Sequence, residues 1–304
     1  RKGVINMTKQ IKDICVSGYK KGLTVNQIKW IALIFMTIDH LGAYGFPIPI
    51  FDKYFELLRI LGRIAAPLFL FVVTESVKHT RNKWKFVLRL YLGAVAVGLF
   101  VTVTNFLFDD SIGRFTQSNI LFTYFYVALY IVLIEQLIES VKTKEWKRGI
   151  IGVFGMIATS IPHILFVLFY NFPFDRFELP FETVWTLRDL FQSFIQSPLG
   201  VEYTILFVVM GVVMYFVGNK LWKAAVLLIV SALCYFGGNL GAHNLPIIGK
   251  VLGYPQYYMA MAVPFILLYN GQKGRGNKYF FYVYYPLHRY VISIIVYIYA
   301  LISR

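Results

Sequence analysis

Three apolar stretches of the sequence contain polar residues that could carry acid–base chemistry. Asp39 and His40 are adjacent within IKWIALIFMTIDHLGAYGF, and Arg59 and Arg63 are one helical turn apart in ELLRILGRIAAPLFLFVVTES. His288 lies in KYFFYVYYPLHRYVI. A histidine oriented by a carboxylate can act as a general base, and nearby cations can stabilise a developing oxyanion. These residue types therefore predict proton removal from a substrate that develops negative charge.

A simpler interpretation stays open, in which Asp39 only pairs with Arg63 and the histidines are hydrogen-bonded packing residues. The sequence contains neither GxSxG nor HExxH, so it has no hydrolase motif of those kinds. His40, His288 and Asp39 lack the spacing of a metal site. We therefore expect no metal.

The elements that hold these residues must be membrane helices. Of 304 residues, 58% are hydrophobic and only 15% are charged. Continuous apolar runs of about 18 residues or more, each long enough to cross a bilayer, exclude a β-barrel and a soluble fold. The sequence predicts an all-α polytopic membrane protein of about 9–10 transmembrane helices. The predicted spans are 28–46, 56–77, 86–107, 118–138, 149–170, 199–217, 221–237, 255–270 and 279–302.

Helix geometry predicts that the polar residues meet at one depth. At about 1.5 Å per residue, His40 lies roughly 18 Å from the inner edge of the first span, and Arg63 roughly 12 Å from the outer edge of the second. His288 lies roughly 14 Å from the inner edge of the last span. A single histidine is often only a packing residue, but several polar residues at one height indicate a polar interior.

The net charge of +15 is explained by topology. With a cytosolic N-terminus, the inner segments hold 21 basic residues, whereas the outer segments hold eight basic residues and nine acids. We therefore predict a multi-pass membrane protein with a cytosolic N-terminus and no nucleic-acid partner. Residues 1–27 form a basic cytosolic leader, and residues 28–302 form a single transmembrane domain.

Two connecting segments are candidates for ligand contacts. The outer segment 171–198 contains apolar residues at helical spacing and predicts a helix in the outer interface, where it could line or cover a site. The inner segment NGQKGRGNK carries Lys273, Arg275 and Lys278 among glycines and could wrap a phosphate. It could equally be an ordinary turn that obeys the positive-inside rule.

Other ionisable residues have plainer explanations. Glu75 is expected to snorkel or to pair with Lys78 or Arg81, and Glu202 to be solvated at the outer edge of its span. His163, next to Pro162, is given a secondary role at a helix kink.

The motifs together resemble the TraX family, named for a conjugation protein associated with N-acetylation of pilin. They are Ile38-Asp39-His40, the stretch from Leu61 to Asn82, Arg89-Leu90, LLYNGQKG from Leu267, and FFYVYYPLH ending at His288. The resemblance covers essentially the whole membrane region in the same order. One departure is Ser76, where glycine is expected.

The TraX family is similar to a wider group of transmembrane acyltransferases that includes the lysosomal heparan glucosaminide N-acetyltransferase and the acyltransferase-3 proteins. The resemblance implies acyl transfer from cytosolic acetyl-CoA to an acceptor on the other side. It implies His40 as the membrane-embedded catalytic histidine, with Asp39 setting its tautomer. Arg63 or His288 would polarise the thioester, and the cofactor-binding candidates are Arg59, Lys273, Arg275, Lys278 and Tyr284.

The acceptor implied by the resemblance is a pilin-like N-terminus or an envelope glycan. Two other function classes stay open. A proton-coupled transporter could use the same polar interior as a relay. A non-catalytic assembly factor for a pilus or the envelope could use it only to hold helices together.

Overall fold

The computed structural model describes residues 22–45, 47–112, 117, 119–245, 247–276 and 278–303, in which the long elements are all helical. The chain begins with α1 (Val25–Gly45), α2 (Pro49–Lys53), α3 (Phe55–Gly62), α4 (Ala65–Lys78) and α5 (Lys83–Ile112). It continues with α6 (Ile120–Thr143), α7 (Trp146–Ala158), α8 (Ser160–Tyr170) and α9 (Phe181–Phe194). It ends with α10 (Thr204–Phe216), α11 (Lys220–Asn239), α12 (Val263–Leu267) and α13 (Lys278–Ile302).

Six helical segments of the described chain are long and apolar enough to cross a membrane. They are Phe55–Lys78, Lys83–Leu107, Ile120–Thr143, Trp146–Tyr170, Lys220–Asn239 and Val283–Ile302. The protein is therefore an all-α, multi-pass membrane protein, as predicted. The other three predicted spans correspond to α1, which carries Lys29 and Asp39, and to the shorter apolar helices Thr204–Phe216 and Gln256–Leu267.

Helix α4 is the centre of the bundle. Leu68, Leu70 and Phe71 on it are fully buried, and α4 packs against α1, α6 and α10. The α7–α8 segment is peripheral, and its large apolar side chains, such as Phe154 and Leu168, are exposed. A helix that contacts lipid tails needs an apolar surface of this kind. Its backbone polar groups are already paired within the helix.

Glycines allow α1 and α3 to approach closely. A side chain at Gly62 would overlap the carboxylate of Asp39, and one at Gly42 would press on the stem of Arg59. Glycine at these positions therefore brings Arg59 of α3, and Arg63 directly after α3, to the Asp39 face of α1.

The last loop of the protein fixes the amino end of α1. The backbone amides of Val25 and Asn26 donate to the carbonyls of Gln272 and Lys273, at 2.9 and 3.1 Å. The first amides of a helix have no partner within the helix, so these carbonyls act as its cap. The helix that carries Asp39 and His40 is thus positioned by the segment that precedes α13.

Candidate active site

A cavity of about 1080 Å³ lies within the helix bundle, and we call it the central cavity. Its Lys29 end is lined by Lys29, Ser76 and Phe86, close to the start of α1 and the end of α4. Its Trp185 end is lined by Trp185 and Gln192 of α9 and by Lys250. Between the two ends lie the polar residues Asp39, His40, Arg59, Arg63, Tyr284 and Arg289.

One carboxylate oxygen of Asp39 binds two arginines. Oδ1 accepts from Nη2 of Arg63 and lies 2.8 Å from Nη1 of Arg59, which also donates to the Asp39 carbonyl at 3.3 Å. Arg63 is buried and makes a further bond to Oε1 of Gln256 at 3.3 Å. A buried guanidinium needs such partners to compensate for lost hydration. The three charges leave one net positive charge beside the cavity.

His40 and His288 form a direct hydrogen bond across the bundle. Nδ1 of His40 lies 2.5 Å from Nε2 of His288, and Nδ1 of His288 lies 2.9 Å from the carbonyl oxygen of Tyr284. A carbonyl only accepts, so Nδ1 of His288 carries a proton. In the neutral imidazole, Nε2 of His288 is then the acceptor, and Nδ1 of His40 is the donor.

This assignment leaves Nε2 of a neutral His40 with its lone pair available. Within the described part of the chain, Nε2 of His40 makes no hydrogen bond, and His40 lines the central cavity. An unprotonated imidazole nitrogen at a cavity wall can accept a proton from a bound molecule. The hydrogen-bond chain from Tyr284 through His288 therefore holds His40 in the tautomer that a general base needs.

Aromatic contacts hold the histidine pair in place. The Tyr284 ring stacks parallel to that of His288, with centroids 5.2 Å apart, and the Tyr284 hydroxyl lies 2.7 Å from Oγ1 of Thr37. Tyr44 packs beside His40 at 5.6 Å, and Arg289 lies over the Tyr44 ring at 5.1 Å. These contacts join α1 and α13 along the same face.

The structure brings together most of the residues that the sequence singled out. Asp39, Arg59 and Arg63 meet in one ion-pair cluster, while His40, His288 and Tyr284 meet in one hydrogen-bond chain. The expectation that Asp39 orients His40 is wrong, because adjacent residues of a helix point about 100° apart. His288 takes that role, and Asp39 turns toward the arginines.

The glycine-rich loop lies apart from this cluster, at the amino end of α1. Its side chains at Lys273 and Arg275 are exposed, and the Arg275 carbonyl accepts from Nδ2 of Asn26 at 2.5 Å. Lys29, which lines the Lys29 end of the central cavity, is about one turn along α1 from this loop. Lys278 begins α13, but its side chain lies outside the described residues.

The outer segment forms the predicted helix as α9, and its polar side faces inward. Asp189 accepts from Asn105 of α5 at 3.0 Å, and Ser193 lies 2.9 Å from Thr102. Trp185, Asp189 and Gln192 line the central cavity. The helical spacing predicted the helix, and its polar face supplies part of the cavity wall.

Glu202 shows where sequence reasoning failed. It is half-buried and lines the central cavity, so the expectation of a solvated residue is wrong. The next two residues, Tyr203 and Thr204, have φ values of 61° and 60°, which side-chain-bearing residues rarely adopt. Tyr203 lies 6.0 Å from the Arg63 guanidinium. The local sequence does not predict this turn. Left-handed backbone is usually marked by glycine or asparagine, and the turn contains neither at these two positions.

Glu75 is more buried than the sequence suggested. Its carboxylate accepts from Lys223, and Lys78 lies 3.5 Å away. The predicted partner Lys78 is therefore present, but the principal partner is the fully buried Lys223 of α11.

In the described residues, no three His, Cys, Asp or Glu side chains are placed to hold a metal ion together. The histidine pair is instead engaged in its own hydrogen bonds. The described site places an imidazole nitrogen and guanidinium groups on the same cavity.

Of three comparisons with known proteins, the one with family models finds a match, and it is to the family that the sequence motifs resemble. No curated protein and no solved structure matches this chain. The family model described as TraX protein matches residues 24–172 and 188–296, which include both histidines and the ion-pair cluster. The match omits residues 173–187, which contain Trp185 and the start of α9. With the greater part of its length covered, the chain belongs to the TraX family.

Proposed function

We propose that this protein is a membrane-embedded acyltransferase that moves an acetyl group from acetyl-CoA to an amine or hydroxyl group of an acceptor. The observation that carries the proposal is the hydrogen-bond chain Tyr284–His288–His40, which leaves a basic nitrogen at the wall of the central cavity. The link of the TraX family to pilin acetylation supports the same reaction class.

In the proposed reaction, Nε2 of His40 takes the proton of the acceptor as its nitrogen or oxygen attacks the acetyl carbonyl. The positive charge that forms on His40 is shared with His288 through their hydrogen bond. The carbon–sulfur bond then breaks, and the thiolate of CoA takes the proton from His40, which restores the base. The guanidinium groups of Arg59 and Arg63 favour the negative charge that develops on the carbonyl oxygen, because a charge acts strongly where water is excluded.

The donor is proposed to enter at the Lys29 end. Lys29 lines the cavity there, and the exposed cations Lys273 and Arg275 stand on the loop that caps α1. Cations at such a loop suit the phosphates of CoA, whereas the narrow acyl-bearing arm suits the interior of the bundle. Lys278, next along the chain, is proposed to join them.

The acceptor is proposed to enter at the Trp185 end. Gln192 offers an amide group there, and Trp185 offers an aromatic face. A pilin-like amino terminus and an envelope glycan are both compatible with these groups. The excess of basic residues in the predicted inner segments supports the bacterial cytoplasmic membrane with a cytosolic N-terminus.

The test uses protein purified in detergent, acetyl-CoA as donor, and either a peptide with a free amino terminus or glucosamine as acceptor. Free thiol is measured as CoA is released. We expect release by the wild type and a loss of about 10²-fold or more in His40→Ala. His79→Ala, which removes an exposed histidine at the end of α4, is the matched control and should match the wild type.

Undiminished turnover in a folded His40→Ala protein would remove His40 from the mechanism. Calorimetry could show no acetyl-CoA binding while proteoliposomes show proton-dependent solute flux. This result would contradict the proposed enzyme and favour a transporter.

A further inference from the structure

A serine and a histidine form a hydrogen-bonded pair outside the central cluster. Oγ of Ser197 lies 2.9 Å from Nδ1 of His163, and Ser197 lines the central cavity while being 3% exposed. Ser197 follows α9 in the connection to α10, and His163 lies on α8. The proposed function makes no use of either residue.

The hydroxyl of Ser197 lies between a backbone amide and an imidazole nitrogen. The backbone amide of Leu199 donates to Oγ of Ser197 at 3.1 Å. In the described part of the chain, the only acceptor that this hydroxyl contacts is Nδ1 of His163. When His163 carries its ring proton on Nε2, its Nδ1 is unprotonated and accepts the hydrogen bond from the Ser197 hydroxyl. This is the arrangement of a nucleophile with its base.

The surrounding segment is held firmly against α6. The Gln196 carbonyl accepts from the hydroxyl of Tyr126 at 2.6 Å, and Nε2 of Gln196 donates to the Gln117 carbonyl at 2.9 Å. Thr159, just before His163's helix, lies 2.9 Å from the hydroxyl of Tyr130, also on α6. One helix therefore positions both the segment with the serine and the helix with its histidine.

We propose that Ser197 carries the acetyl group as an ester during transfer, with His163 as its base. The inference rests on the proposed function, because it needs an acyl donor in the same cavity. The acceptor would then react with an acetyl-serine rather than with the thioester itself.

In the first step, Oγ of Ser197 bonds to the thioester carbonyl carbon and its proton moves to His163. The carbon–sulfur bond breaks, and CoA leaves as a thiolate that takes a proton from solvent. In the second step, His40 removes the acceptor's proton as the acceptor attacks the ester carbonyl. The carbon–oxygen bond to Ser197 breaks, and His163 returns the proton to Oγ. The proton on His40 goes to solvent, which restores the enzyme.

The experiment uses the purified full chain with acetyl-CoA labelled in the acetyl group. The His40→Gln variant slows the second step, so label should accumulate to one acetyl group per chain, with an equal burst of free CoA. Mass spectrometry should place the acetyl group on Ser197. Adding Ser197→Ala or His163→Ala to His40→Gln should remove the label.

Two further variants control for structural effects. Ser160 lies one turn before His163, and its hydroxyl donates to the Ile157 carbonyl. Ser160→Ala should leave the labelling of His40→Gln unchanged. Ser197→Cys keeps a nucleophile and should carry the acetyl group as a thioester, which hydroxylamine releases.

The outcomes separate this inference from the proposed function. If the wild type releases CoA but His40→Gln carries no acetyl group on Ser197, the covalent role of Ser197 is overturned. Direct transfer assisted by His40 then remains. Label on His40 of the wild type instead of on Ser197 would overturn the covalent role of Ser197 as well. Neither release nor label, in protein that is folded, would overturn both proposals.

Discussion

The Nδ1 atom of His40 is 2.5 Å from Nε2 of His288, and this contact joins the first and last helices of the described bundle. Because the Tyr284 carbonyl fixes the proton of His288, the contact also fixes which nitrogen of His40 faces the cavity as a base. His288 is thus a positioning residue for His40.

Replacing His288 should therefore lower turnover while acetyl-CoA affinity is kept. We expect His288→Ala to reduce kcat by about 10²-fold, since the wrong tautomer of His40 becomes available. His288→Gln offers an amide oxygen to Nδ1 of His40 and should recover part of the rate. Steady-state CoA release over a range of pH values measures both effects. Equal activity of His288→Ala and the wild type would show that the pair is not used.

The carboxylate of Asp39 should stabilise the fold, because it compensates the buried guanidinium of Arg63. Asp39→Ala leaves the buried guanidinium of Arg63 without its carboxylate, which costs about 3–5 kcal/mol in such pairs. We expect a lower Tm for Asp39→Ala in a thermal unfolding assay in detergent. The double variant Asp39→Asn/Arg63→Met removes both charges and should recover most of the Tm without recovering activity. A double variant as unstable as Asp39→Ala would contradict this.

The buried pair of Glu75 and Lys223 should contribute to stability alone. Lys223 is 1% exposed and Glu75 is 6% exposed, so Glu75→Gln leaves an uncompensated ammonium group in the interior. We expect a loss of about 3–5 kcal/mol by the same argument. Lys78→Ala, whose side chain is 26% exposed, is the control and should cost less than about 1 kcal/mol. Thermal unfolding measures the destabilisation by each variant. Equal losses in Glu75→Gln and Lys78→Ala would show that the charge of Glu75 is screened by solvent.

The loop that caps α1 gives a binding prediction. Lys273→Ala/Arg275→Ala should weaken acetyl-CoA binding by about tenfold or more, because charge-assisted bonds to phosphates are lost, while kcat at saturation is kept. Calorimetry with detergent-purified protein measures the affinity. Lys142→Ala/Lys144→Ala removes two other exposed lysines and should leave it unchanged. Equal losses in the two double variants would mean a general charge effect.

The close approach at Gly62 can be tested by one methyl group. A Cβ at this position would overlap the Asp39 carboxylate, so Gly62→Ala should separate α3 from α1 and disturb the ion-pair cluster. We expect a lower Tm and reduced CoA release. Gly200→Ala is the control for stability alone, because a Cβ there has ordinary contacts, the nearest 3.7 Å from Cβ of Ser197, and its Tm should match that of the wild type. A Gly62→Ala protein with normal stability would show that the helices can shift freely.

The sequence predicted the class of the fold and the meeting of three helices at one depth, because hydrophobic length and helical rise are set locally. Asp39, His40, Arg63 and His288 were found for this reason. Their pairing was not predictable, since the direction of adjacent side chains depends on how α1 is rotated against its neighbours. The prediction failed to pair His40 with His288, which is 248 residues away.

Other features depend on structure that the sequence pattern does not mark. The turn at Tyr203 and Thr204 uses left-handed backbone without glycine, and it brings Glu202 to the cavity wall. The Ser197–His163 pair joins residues on two separate segments. No spacing rule links the two residues, because they share no helix.

The capping of α1 by the loop before α13 bears on the order in which the protein can be made. The donor and the acceptor of the His40–His288 bond are separated by nearly the whole chain, as are Asn26 and Arg275. A ribosome delivers α1 well before α13, so the site is incomplete until α13 has been made. The proposed base acquires its fixed tautomer only when α13 has docked, and a chain that lacks α13 should therefore be inactive.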